Sequence, residues 1–241
     1  MQNCSPGSFR LDSWQGRRST RVNRIRLLHV AQPAVDRMNA NPKKPSVSWA
    51  KLLIAAVATS FWAPAGAEPA LGSDRAPVTI VEYGSLTCDY CARFHREVLP
   101  RIQSGYIETG VVRFIYRDFP TGDAATRGAV AARCADDHYY AMLDALYADV
   151  GNWSRARDIE TALIQQATSL GLAPRAFRAC LKGQVQRRAI EHMQRTATAE
   201  YGVLGTPTFL INGRIIRGMQ DFEQMKLLIA EALANPSVTV E

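Results

Sequence analysis

Leu86-Thr87-Cys88-Asp89-Tyr90-Cys91 decides how this chain is read. It joins an apolar run, Val78-Thr-Ile-Val-Glu-Tyr83, to a stretch in which Phe94, Val98 and Ile102 recur at helical spacing, with Pro100 as an expected kink. A Cys-x-x-Cys at a strand-to-helix junction places its first sulfur at a helix N-terminus, where unpaired backbone N–H groups and the helix dipole favour an anion. A free thiol with a pKa near ~8.5 is only roughly 3 % ionised at neutral pH, so this placement turns Cys88 into a nucleophile. Glu82 breaks a run otherwise typical of a strand buried on both faces. Burying an unpaired carboxylate is costly, so Glu82 is expected to sit protonated, or lined by water, near the sulfurs and to exchange protons there.

A metal site is not expected. A zinc knuckle needs two further ligands at short spacing, and His95, His138 and His192 are scattered with no second Cys-x-x-Cys. Ala92 stands where a haem attachment site carries His. His95 is read as a bystander on a surface turn of the helix, since no spacing rule ties it to Cys88.

The net charge of +7 suggests nucleic acid only until its placement is considered. Residues 1–67 hold ten of the 29 Lys and Arg and two of the 22 acids, Asp12 and Asp36, which leaves 19 basic against 20 acidic residues in the remainder. A nucleic-acid surface is therefore not expected. Residues 38–67 read as a secretory signal peptide: Lys43, Lys44 and Lys51, an apolar core from Leu52 to Ala63, then Pro64-Ala-Gly-Ala67, with cleavage expected after Ala67. The core is shorter than the roughly twenty residues of a spanning helix, so export is favoured over anchoring. Residues 1–37 are read as lying upstream of a true start at Met38, or as a disordered leader. A twin-arginine signal at Arg17-Arg18 is the alternative, disfavoured because the apolar core is far away.

Removing residues 1–67 discards Cys4 and leaves Cys88, Cys91, Cys134 and Cys180. Four cysteines allow three connectivities in an oxidising compartment; with Cys88 and Cys91 paired, Cys134 and Cys180 are either a second bridge or two buried thiols. Glu68 to Ala76 reads as a short leader segment. Val111-Val-Arg-Phe-Ile-Tyr116 reads as a second strand, parallel to the first across the intervening helix. From 123 to 200 the pattern is almost wholly helical, with Gly171 and Pro174 as punctuation. Thr208–Ile211 and Arg214–Arg217 flank Asn212-Gly213, a hairpin signal, and Phe222, Met225, Leu228, Ile229 and Leu233 mark a closing helix before Pro236.

The Cys-x-x-Cys, the Glu82 six residues before it, and the segment Tyr201-Gly-Val-Leu-Gly-Thr-Pro207-Thr-Phe-Leu-Ile-Asn-Gly213 together resemble the thioredoxin fold, most closely the DsbA-type thiol:disulfide oxidoreductases. The resemblance spans about Leu71 to Leu233. It implies an α/β thioredoxin fold, 68–122 and 201–241, with an inserted all-helical domain, 123–200. It implies that Cys88 and Cys91 are catalytic, that Glu82 assists protonation of Cys91, and that the Thr206-Pro207 bond is cis and faces the pair, freeing Thr206 backbone groups for an incoming peptide. A bridge between Cys134 and Cys180 is also implied. So are reduced exported polypeptides as substrates, a quinone-linked membrane oxidase of the DsbB type or another redox partner for reoxidation, a periplasmic location and no organic cofactor. Between the cysteines the chain departs from the family, with Asp89-Tyr90 where a Pro-His pair is common. Loss of an imidazole donor and a carboxylate beside Cys88 oppose the thiolate, so a milder oxidant is expected.

Alternatives share the Cys pair. A disulfide isomerase or reductase has the same core, but many isomerases dimerise through an N-terminal segment. Only about ten residues separate Ala67 from the first strand here, so a monomer is expected. A periplasmic copper chaperone is disfavoured by the lack of a nearby Met-rich or His-rich stretch, and an adaptor with an inert Cys88–Cys91 bridge is the non-enzymatic reading.

Overall fold

A computed structural model of the chain describes residues 68–235. The expected leader at 1–37 and signal peptide at 38–67, with Cys4, lie outside the described residues. The five strands are β1 (Ala70–Leu71), β2 (Val78–Gly84), β3 (Val112–Asp118), β4 (Thr208–Ile211) and β5 (Arg214–Arg217), in sheet order β1-β3-β2-β4-β5. β2 and β3 are parallel, and the other neighbouring pairs are antiparallel. The parallel pair follows from the strand–helix–strand order, since a crossover returns the chain in the same direction. β1 was not foreseen. Two residues carry too little pattern to register as a strand, and it forms by pairing Ala70 with Ile115 and Leu71 with Phe114 at the sheet edge.

Side chains alternate across a strand, so β2 feeds two layers. Val78, Ile80 and Glu82 face the larger core with Phe94, Phe114, Tyr116 and Phe209, while Val81 and Tyr83 pack with Ile115, Leu210, Ala197 and Val203 on the other side. Burying one Phe here contributes roughly 1.5–3 kcal/mol. The register sets Glu82 opposite Tyr116 on β3 and Phe209 on β4, in the middle of the sheet.

The helix after the motif divides as the proline requires: α1 (Asp89–Glu97) ends at Val98, and α2 (Leu99–Ile102) begins with Pro100 in its first turn. A π-helical turn, Gln103–Ile107, leads into β3. Between β3 and β4 come α3 (Asp123–Arg133), α4 (Tyr139–Ala148), α5 (Val150–Ser154), α6 (Ile159–Ser169), α7 (Pro174–Lys182) and α8 (Val185–Tyr201). Gly202, left-handed at φ +59°, ends α8 and turns the chain back to the sheet. Asn212 and Gly213 both have positive φ, as a two-residue hairpin demands. The Asn212 side chain also accepts from the Thr79 N–H, tying the turn to β2. α9 (Phe222–Ala234) closes the fold from a reciprocal capping box between Asp221 and Gln224. Cys134, at the C-terminal end of α3, is disulfide-bonded to Cys180 of α7, with Cα atoms 5.8 Å apart. Among the described residues no helix is long and apolar enough to cross a membrane.

Candidate active site

Cys88 is the N-cap of α1, with extended backbone, and its Sγ accepts from the Cys91 N–H at 3.4 Å. Ser85 holds the approach to the helix: its carbonyl accepts from the Cys88 N–H at 2.9 Å, and its hydroxyl pairs with that of Thr121 at 3.0 Å. Cys88 and Cys91 are both free thiols, Cys88 partly exposed and Cys91 buried. Across from them the Thr206-Pro207 bond is cis, and the Cys88 thiol reaches the Thr206 carbonyl at 3.4 Å. The Pro207 carbonyl accepts from Gly218 N–H beyond β5, and Thr208 Oγ1 donates to Gly205, so this loop is fixed at both ends.

The two sulfurs are electrostatically opposite. The Cys88 thiol is lowered to about 6, chiefly by its hydrogen bond with Cys91, against the effect of burial and with help from Thr206 and the backbone N–H groups of Cys91 and Tyr90. Burial pushes the Cys91 thiol far up, and its neighbours Cys88 and Glu82 add to the rise. One sulfur is poised as an anion and the other holds its proton.

Asp89 and Tyr90 are exposed at the first turn. The larger causes of the Cys88 shift are its hydrogen bonds and burial, not Asp89. Tyr90 lies under the Arg93 guanidinium at 5.4 Å, and Arg93 in turn reaches the Met219 sulfur. Leu204, two residues before Thr206, is 84 % exposed.

Beneath the pair, Glu82 is 0 % exposed. Its partner corrects the sequence reading of His95. That residue is not a surface bystander: it is 5 % exposed on the inner face of α1, and its Nε2 lies 2.9 Å from Glu82 Oε2. Neither a lone proton nor water is needed to account for that side of the carboxyl group. The imidazole stacks on Tyr147 at 4.2 Å and meets Tyr116 edge-on at 5.5 Å, and the two phenols pair with each other at 2.9 Å. The missed signal was spacing: Cys91 and His95 are four residues apart, so on a helix they share a face. Among the described residues no group of three or more His, Cys, Asp or Glu side chains is placed to hold a metal ion.

A family model described as thioredoxin matches residues 65–231. A Rickettsia bellii relative bearing the name protein-disulfide oxidoreductase is 26 % identical over 145 residues, 59 % of this chain and 56 % of its own length. The chain thus spans about half the length of the Rickettsia relatives it matches. The disulfide bond formation protein D of Bacillus subtilis is 24 % identical over 172 residues, 69 % of this chain and 77 % of its own. Among solved structures, that of Wolbachia pipientis alpha-DsbA1 superposes with a TM-score of 0.66 at 26 % identity, covering 72 % of this chain and 94 % of that one. With its Cys-x-x-Cys at the head of α1, a cis-proline loop opposite and six helices set between β3 and β4, the chain belongs to the thioredoxin family, and its structural neighbours there are DsbA proteins.

Proposed function

We propose that this protein is an exported, periplasmic thiol:disulfide oxidoreductase that transfers its Cys88–Cys91 disulfide to reduced polypeptides. The observation carrying this reading is the asymmetry of the two sulfurs: a partly exposed Cys88 held near pKa 6 above a buried, strongly protonated Cys91. Such a pair favours attack at the accessible sulfur and stabilises the product in which that sulfur is a thiolate.

A client thiolate attacks Cys88 of the oxidised pair. The Cys88–Cys91 bond breaks, its electron pair goes to Cys91, and Glu82 supplies the proton that neutralises that sulfur. A second client thiolate then attacks the client sulfur of the mixed disulfide and releases Cys88 as a thiolate. The client has lost two electrons and the Cys pair has gained them. Thr206, held beside Cys88 by the turn at Pro207, offers backbone groups to the extended client chain. A quinone-linked membrane oxidase of the DsbB type takes the two electrons back, and no organic cofactor enters. The bridge between Cys134 and Cys180 is structural, and the protein acts as a monomer.

Disulfide transfer to a reduced two-thiol peptide tests the reading. Oxidised protein mixed at equimolar ratio should yield about one peptide disulfide per protein, with loss of the reaction in Cys88→Ala. Transfer that survives Cys88→Ala, or no transfer by the oxidised wild type, would refute it.

A further inference from the structure

We propose that His95 is the positioning residue for proton exchange at Cys91: by clamping one oxygen of Glu82 it leaves the other free to give and take the proton that the Cys91 sulfur needs. This rests on the oxidoreductase reading above and adds a residue and a proton route to it.

The geometry divides the labour within one carboxyl group. Oε2 is engaged by His95 Nε2 at 2.9 Å, while Oε1 is buried without a hydrogen-bond partner. His95 Nδ1 is likewise buried and unpartnered. An unpaired buried N–H is the costlier orphan, so the tautomer with hydrogen on Nε2, donating to Oε2, suits this site. The ring cannot swing away, because Tyr147 stacks on it and Tyr116 closes its edge. Neither phenol bonds the carboxyl group: the two hydroxyls pair with each other, Oε2 bonds His95 and Oε1 has no partner.

The groups facing this pair come from every element around it. From α1 they are Cys91 and the neighbouring Arg96, whose guanidinium binds the Tyr147 carbonyl at 3.2 Å. From β3 comes Tyr116, and from α4 come Tyr147 and Asp144, whose carboxyl feels the imidazole. Burial pushes both phenols far above their ordinary range, so they stay neutral beside Glu82 and Cys91. The charge on Glu82 also reaches Cys91, helping to keep its proton on.

In the oxidising half-reaction the proton passes from Glu82 Oε1, which has no direct hydrogen-bond partner, through one bridging water to the Cys91 sulfur as the Cys88–Cys91 bond breaks. The carboxylate left behind is held by the Nε2–H of His95. On reoxidation the Cys91 proton returns to Oε1 as that sulfur attacks the mixed disulfide between Cys88 and the redox partner, displacing the partner's sulfur with its electron pair. Glu82 takes that proton from solvent and returns it there between the two half-reactions, so reduction takes up the one proton that Cys91 keeps, and the proton and the electron pair balance in both directions.

The test is the rate at which Cys91 resolves a mixed disulfide between Cys88 and glutathione, followed by stopped flow across pH 5–9. His95→Leu should slow resolution by about tenfold or more and flatten its pH profile, a part of the roughly 100-fold or larger effects of positioned acid–base groups. His95→Gln, whose amide nitrogen reaches the place of Nε2, should restore most of the rate. Adding His95→Leu to Glu82→Gln should cost nothing further, and alkylation of Cys88 should keep its wild-type pH midpoint throughout. Where His95→Leu does not fold, His95→Asn serves, its shorter amide falling short of Oε2. Wild-type resolution in these variants, or a loss fully additive with Glu82→Gln, overturns the proposal. Failure of the wild type to resolve the mixed disulfide at all overturns the oxidoreductase reading instead.

Discussion

The Cys88 sulfur and the Thr206 carbonyl oxygen lie 3.4 Å apart although 118 residues of sequence separate them. That contact closes the site. The head of α1 and the loop before β4 are brought together because β2, which leads into the motif, pairs directly with β4. In the proposed reaction an extended client chain pairs with backbone at the loop before β4 while its own sulfur reaches Cys88.

The lowered Cys88 thiol makes the reduction potential depend on pH in two regimes. Below about 6 both thiols of the reduced pair carry protons, and above it only Cys91 does. The sign follows: a depressed acid stabilises the reduced fold above its ordinary range, and that contribution is lost as pH falls through about 6. The potential should fall by about 60 mV per pH unit below the break and about 30 mV above it, measured by equilibration with glutathione. A single slope through pH 5–8 would show that Cys88 is not the titrating group.

Replacing Asp89-Tyr90 by Pro-His should raise the reduction potential. Asp89 occupies the first turn of α1, where its charge competes with the Cys88 thiolate for the same helix end. Its exposure limits the effect to a modest one, on the order of 30 mV for each unit by which the Cys88 pKa falls. An unchanged or lower potential in glutathione buffers would contradict this.

Much of this was legible in the sequence because its signals are local. Val78–Gly84, the hairpin at Asn212-Gly213 and the helices after Asp123 each carry their own periodicity or turn chemistry. What escaped needed partners distant in sequence. β1 exists through Phe114 and Ile115, and Glu68, read only as part of a leader, chelates Arg117 with both carboxylate oxygens. His95 was misread because its environment is made by Glu82, Tyr116 and Tyr147 on three other elements. The helical phase it shares with Cys91 was the one local clue.

Removing the bridge between Cys134 and Cys180, as Cys134→Ala with Cys180→Ala, should cost about 4 kcal/mol of stability. The closed loop spans 46 residues, and the figure is the chain-entropy value for that length. Denaturant unfolding checks it. Peptide oxidation at temperatures where the variant stays folded should be unchanged, since the bridge supplies none of the groups that contact the Cys88 sulfur.

Arg133→Ala should destabilise the fold by about 3 kcal/mol or more. Asp118 at the end of β3 is almost fully buried, burial pushes its carboxyl up, and Arg133 Nε binds Oδ2 at 2.6 Å. Without that guanidinium the carboxyl group is left buried and unpaired. Asp118→Asn in the same background should recover part of the loss. A single variant as stable as wild type by thermal unfolding would contradict the ion pair's role.

The rate of alkylation of the fully reduced protein between pH 4 and 9, with the label located by peptide mapping, tests the central claim most directly. One thiol, Cys88, should react, with a midpoint near 6, and Cys91 should stay unlabelled across the whole range. A midpoint in the ordinary thiol range, or labelling of Cys91 alongside Cys88, would contradict it.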